Sequence, residues 1–168
     1  MTVTLVVGGT ASGKSSVAER IAAALADDVV YVATGVATDE EMAARIAAHK
    51  LRRPPSWSTV ETDDLPGAVR ALPPRPALID SLGTWVAHAP DFAVDVDALV
   101  DALRSRAAPT VVVSDEVGLG VHPETEIGRR FRDVLGGVNR AVGDVADEVL
   151  LVVAGRVLHL PPAPEVTR

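Results

Sequence analysis

The sequence predicts a three-layer α/β fold: a mainly parallel sheet with helices on both faces and an antiparallel hairpin at its C-terminal edge. Three observations predict it. Short apolar runs alternate with helical patterns along the chain. The runs are continuous rather than alternating, as in strands buried on both faces. Near the C-terminus, two apolar runs flank Gly155-Arg156, which reads as a strand, a tight turn and a returning strand.

The elements follow in order. Val3 to Val7 is a buried strand, and Ser15 to Ala26 is a helix with Val17, Ala18, Ile21, Ala22 and Leu25 on one face. Val29 to Ala33 is a second strand, which completes a βαβ unit. Thr38 opens a second helix with a capping box to Glu41, and this helix ends in the basic cluster His49-Lys50-Leu51-Arg52-Arg53 before Pro54-Pro55. The six prolines between 54 and 76 make that stretch mostly loop, with a candidate strand at Trp57 to Glu61 and a short helix at Leu65 to Leu72. Ala77 to Asp80 is the next core strand, Asp95 to Ala107 a helix, and Thr110 to Ser114 a strand followed by Asp115-Glu116. Glu124 to Val145 is a long helix in which Gly136 and Gly137 are candidates for a bend.

At 168 residues the chain reads as one domain over 1–160 with a loosely held tail at 161–168. A formal charge of −7, spread along the chain, argues against a nucleic-acid or anionic-membrane surface. There is no cysteine, so disulfides and thiolate metal sites are excluded. The apolar N-terminus is too short for a signal peptide, and no run reaches the ~20 apolar residues of a membrane span. The expectation is a cytoplasmic enzyme.

The strongest chemical signal lies between the first strand and first helix: Gly8-Gly9-Thr10-Ala11-Ser12-Gly13-Lys14-Ser15. Glycines at this spacing let successive N–H groups face phosphate oxygens, and the helix that follows adds its positive end. Lys14 supplies a charge to the β- and γ-phosphates and Ser15 a hydroxyl ligand to Mg2+. This is the phosphate-binding loop of a P-loop NTPase fold, so ATP or GTP is the expected ligand.

Ligands of a parallel sheet gather beyond the carboxyl ends of its strands. The loop, Ala33-Thr34-Gly35, Asp80-Ser81 and Asp115-Glu116 should therefore converge. Asp80 is the candidate second metal residue; its alternative is a strand-end turn or a helix N-cap. Glu116 is a base, a second metal anchor or a turn cap, and Glu61 a base or a ribose contact. For His49 the ordinary reading is a helix-dipole partner. Its crowding by Lys50, Arg52 and Arg53 supports another, a neutral imidazole among phosphate-binding cations, suited to attack on phosphorus. His88, His122 and His159 are surface or packing residues.

With these segments in place the chain resembles the bifunctional adenosylcobinamide kinase/adenosylcobinamide-phosphate guanylyltransferase family of cobalamin biosynthesis. The resemblance rests on the loop at 8–15, Tyr31-Val-Ala-Thr34, Asp39 to Ile46, His49-Lys50 with Arg53-Pro54, and Trp57 to Glu61. It continues in Asp80 to Trp85, Glu116-Val-Gly-x-Gly-x-x-Pro123, Phe131-Arg-Asp133, Asn139 and Ala146 to Val149. It implies phosphorylation of the hydroxyl of adenosylcobinamide by ATP or GTP, then transfer of GMP from GTP to that phosphate through a guanylylated His49. It also implies nucleotide contacts from Gly8 to Ser15, Ala33 to Gly35, Lys50 to Arg53, Glu61 and Asp80, and a homotrimer. Ala11, Ser81, Asp115 and His88-Ala89-Pro90 depart from the usual family pattern. A small-metabolite kinase without nucleotidyl transfer and a non-catalytic nucleotide switch are the alternatives.

Overall fold

A computed structural model describes residues 2–35 and 53–164. The predicted helix from Thr38, with His49, Lys50, Leu51 and Arg52, lies outside the described residues, as do 165–168 of the predicted tail.

Seven strands form one sheet: β1 (Val3–Gly8), β2 (Val30–Ala33), β3 (Ser58–Glu61), β4 (Ala77–Asp80), β5 (Thr110–Asp115), β6 (Glu148–Val153) and β7 (Arg156–Leu160). Their spatial order is β3-β2-β4-β5-β1-β6-β7. All neighbours pair in parallel except β6 with β7, which are antiparallel, as the terminal hairpin predicts. The candidate strand before Glu61 is real and forms the far edge.

Five described helices cover this sheet: α1 (Lys14–Leu25), α2 (Leu65–Ala71), α3 (Leu82–His88), α4 (Val96–Ser105) and α5 (Glu126–Gly143). The period-2 alternation of strand side chains divides the core in two. On one face, Val17, Ala18 and Ala22 of α1 pack on Val6, Tyr31, Leu78, Val111, Val113, Leu150 and Val152. On the other, residues of α2 to α5, among them Leu65, Trp85, Leu103 and Leu135, pack on Leu5, Val32, Ile79 and Val112. The three layers follow from that split.

Local chemistry sets the helix starts. Asp64, Asp95 and Thr125 accept backbone N–H bonds at the first turns of α2, α4 and α5. Ser81 and Thr84 form a reciprocal capping box on α3. Helix α3 is not among the helices the sequence predicts. Helix α5 runs unbroken through Gly136 and Gly137, where the sequence suggested a bend. At the amino end of the sheet, the buried Arg106 guanidinium donates to the Thr110 hydroxyl at 2.8 Å and the Arg75 carbonyl at 2.6 Å. Burial lowers the Arg106 pKa.

Candidate active site

The loop predicted to hold phosphate is the connection from β1 to α1. Gly8 ends the strand, Gly9 to Ser12 form the turn, and Gly13 caps the helix with φ 92°, a left-handed conformation that glycine adopts without strain. Lys14 and Ser15 open α1. No side chain caps this helix, in contrast to α2 to α5, so its first N–H groups remain available to an anion. Lys14 Nζ folds back and donates to the Gly9 carbonyl at 3.3 Å. The turn between β6 and β7 supports the loop from behind, with the Gly155 N–H donating to the Ser12 carbonyl at 2.8 Å. Gly8 is required by crowding: a Cβ there would lie 2.7 Å from the Val152 carbonyl oxygen.

Asp115, at the end of the strand beside β1, places Oδ1 2.7 Å from Lys14 Nζ. Its carboxylate rests on the backbone of Gly83 in α3, where a Cβ would collide with it. The Asn139 side chain donates to the Asp115 carbonyl at 3.0 Å, and Asn139 also accepts from Ser114. The sequence places Asp115-Glu116 among the segments that converge here but assigns Asp115 itself no binding role. The signal available was its position directly after an apolar strand. That this strand lies next to β1 is a matter of sheet order, which the sequence does not display.

Asp80 ends β4, separated from β1 by β5. Its Oδ2 accepts from the Tyr31 hydroxyl at 2.9 Å, and the Arg53 guanidinium carbon stacks 3.5 Å from the Tyr31 ring centroid. Burial first, then the Asp80 charge and its hydrogen bond, push the Tyr31 pKa far above its ordinary value. Arg53 lowers it and Glu19 adds a smaller upward push. Tyr31 is therefore a neutral donor at physiological pH. The helix N-cap alternative for Asp80 does not hold, because Ser81 fills that position.

Ala33 ends β2, and Thr34 and Gly35 follow it. The Thr34 hydroxyl donates to the Ser81 carbonyl at 2.6 Å and accepts from the Ser81 N–H at 3.1 Å, joining the ends of β2 and β4 across the cis Asp80–Ser81 peptide. Glu61 ends β3 opposite Ala33. It lies at the same end of the sheet as Lys14 but four strands away, about 19 Å at the usual strand spacing. Glu116 accepts from the Gly118 N–H at 2.6 Å, the turn-cap role among its three readings. His88, His122 and His159 are exposed.

Among the described residues, no group of three or more His, Cys, Asp or Glu side chains could hold a metal alone. Mg2+ does not require one, since it keeps several waters and takes one or two protein oxygens beside substrate phosphates. The Ser15 hydroxyl and the strand-end acids are hard oxygen donors of that kind. Ser12 Oγ is buried within the loop, packed against Gly8, and has no hydrogen-bond partner among the described residues, so the loop holds an unsatisfied hydroxyl. The residues present therefore fit a magnesium–nucleotide. Together the groups offer phosphate anchorage, a cation, and acids at one sheet edge, the parts needed for phosphoryl transfer.

The comparisons with known proteins agree with that chemistry. Residues 4–160 match the family described as cobinamide kinase / cobinamide phosphate guanyltransferase. A bifunctional adenosylcobalamin biosynthesis protein, CobP, of Pseudomonas aeruginosa is 36% identical over 95% of this chain and 98% of its own. The similarly named CobU of Salmonella typhimurium is 38% identical over 90% of this chain and 95% of its own. In fold, the chain resembles an ATPase from the type III secretion system of pathogenic bacteria, with a TM-score of 0.50 at 12% identity over 89% of this chain and 50% of that one. No helix among the described residues is long and apolar enough to cross a membrane. With the family match spanning nearly the whole sequence, the chain belongs to the cobinamide kinase / cobinamide phosphate guanyltransferase family of kinases and nucleotidyltransferases.

Proposed function

We propose that this chain performs both reactions in turn at the carboxyl edge of its sheet, within one domain spanning 1–160. In the first, the terminal phosphoryl group of ATP or GTP passes to the hydroxyl of adenosylcobinamide. In the second, an imidazole nitrogen of His49 attacks the α-phosphorus of GTP and expels pyrophosphate. The cobinamide phosphate then takes the GMP from His49, giving adenosylcobinamide-GDP and restoring the histidine. The observation that carries the reading is the uncapped N-terminus of α1 behind the Gly8–Gly13 loop, with Lys14 folded over it.

The loop N–H groups and Lys14 bind and orient the triphosphate, and Lys14 offsets charge that develops on the transferring group. Ser15 and Asp80 would hold Mg2+, which when bound neutralises phosphate charge. Lys50, Leu51, Arg52 and Arg53 flank the nucleophile, and Ala33, Thr34, Gly35 and Glu61 contribute to the nucleotide site. A covalent intermediate lets two large substrates react in succession at one place. A cytoplasmic homotrimer is part of the proposal. The exposed Leu119, Val121, Ile127 and Leu158 supply apolar surface for such an assembly.

The deciding experiment is incubation with GTP labelled at the α-phosphate. An acid-labile, alkali-stable protein adduct is expected in the wild type and absent in His49→Ala. Adding cobinamide should discharge the label into a corrinoid product. A wild-type protein that phosphorylates cobinamide yet takes no label would be a kinase alone.

A further inference from the structure

Tyr31 is the single tyrosine of the chain, 5% exposed and the second residue of β2. The register sets it opposite Leu78, on the face that carries α1, two residues short of Asp80 on β4. Its side chain spans that offset and donates to Asp80 Oδ2 at 2.9 Å, while its ring lies under the Arg53 guanidinium at 3.5 Å. Arg53 also donates to the Thr59 hydroxyl at 3.4 Å, so the cation is held over the edge of the sheet between β2 and β3.

We propose that Tyr31 is a positioning residue for two site groups at once: its hydroxyl sets the plane of the Asp80 carboxylate and its ring seats the Arg53 guanidinium. The inference rests on the reading of Asp80 and Arg53 as site residues given above and names what aligns them. A strand-end carboxylate turns about two side-chain bonds, and one directional O–H donor removes most of that freedom. Stacking on an aromatic face fixes the guanidinium plane and leaves its N–H edges able to bond phosphate. Because the hydroxyl and the ring serve different groups, they can be removed separately. Phenylalanine retains the ring, and leucine removes both.

The test uses the full chain with Tyr31→Phe and Tyr31→Leu, and Asp80→Asn and Arg53→Ala as references. Four quantities are read: kcat and KM for cobinamide phosphorylation, the yield of guanylyl-protein from labelled GTP, Mn2+ binding to the GDP complex by electron paramagnetic resonance, and the thermal midpoint. Tyr31→Phe is expected to weaken Mn2+ binding about tenfold, the usual effect of losing a group that orients a ligand. It should also lower the phosphorylation kcat about tenfold with a smaller change in KM. Its guanylyl yield should fall far less, whereas Tyr31→Leu should match the yield of Arg53→Ala.

Wild-type kcat and Mn2+ binding in Tyr31→Phe, beside an impaired Asp80→Asn, would overturn the inference and leave the Asp80 reading standing. So would parallel losses in every readout that track a lowered thermal midpoint, which would mark a purely structural residue. Asp80→Asn and Arg53→Ala variants that keep wild-type kcat, guanylyl yield and Mn2+ binding would overturn the site reading and this inference with it.

Discussion

Lys14 Nζ and Asp115 Oδ1 lie 2.7 Å apart, an ion pair between the first residue of α1 and the last residue of β5. Both side chains are mostly shielded, at 13% and 29% exposure, so water weakens the attraction less than at an open surface. A phosphate that engages Lys14 must do so beside this carboxylate. On this geometry the acid would oppose a metal-free triphosphate at Lys14 and favour one whose charge is already neutralised.

Asp115→Asn keeps the shape and removes the charge. Nucleotide binding without magnesium is expected to tighten about fivefold, corresponding to about 1 kcal/mol for an ion pair of this kind. The gain should shrink when magnesium is present. Equilibrium binding of GDP with and without the metal checks it, and unchanged or weaker metal-free binding would show that the carboxylate does not compete for Lys14.

The two glycines that open the loop should behave differently. A Cβ on Gly8 meets the Val152 carbonyl at 2.7 Å, a backbone atom held by strand pairing, whereas a Cβ on Gly9 meets nothing within 4 Å. Gly8→Ala is expected to cost about 1–3 kcal/mol as overpacking and to displace the loop, lowering nucleotide affinity. That cost corresponds to a drop in melting temperature of about 3–9 °C for a chain of this size. Gly9→Ala should melt within about 2 °C of the wild type. Calorimetry of the two variants decides it, and equal melting temperatures would contradict the crowding argument.

Thr34 links the ends of β2 and β4 through bonds to both the carbonyl and the N–H of Ser81. The residue is 3% exposed, and the Thr84 hydroxyl bonds the same two Ser81 groups, accepting from the N–H at 3.2 Å and donating to the carbonyl at 2.9 Å. Thr34→Val retains the volume and is expected to cost about 1 kcal/mol, the net worth of a hydrogen bond whose loss leaves both Ser81 groups still paired with Thr84. Thr34→Ser should recover most of it. Chemical denaturation measures both, and a valine variant as stable as the serine one would assign the stability to packing alone.

Local patterns in the sequence carry much of this fold. The continuous apolar runs at Val3–Val7, Ala77–Asp80 and Thr110–Ser114 suit strands buried on both faces, and the glycine spacing before Lys14 suits a loop that faces phosphate. Helix α3 was hidden because its seven residues are fixed by the Ser81–Thr84 capping box and by contacts of Leu82, Trp85 and Val86 with the sheet. Gly136 and Gly137 suggested a bend, but the buried stripe of Leu135, Val138 and Val142 holds α5 together. Glycine propensity costs about 1 kcal/mol per residue, less than such burial contributes.

The sequence by itself determined the phosphate-binding loop, the three-layer class, the antiparallel terminal hairpin and the resemblance that led to the family. Each is written in contiguous residues, where spacing alone carries the physics. Only the tertiary structure decided which acid meets Lys14, and that Tyr31 joins Asp80 to Arg53. Those pairings depend on the order β3-β2-β4-β5-β1 and on register, which arise from packing among segments far apart in the chain. Asp80 and Asp115 both end apolar strands, and strand order alone sets them at different distances from the loop.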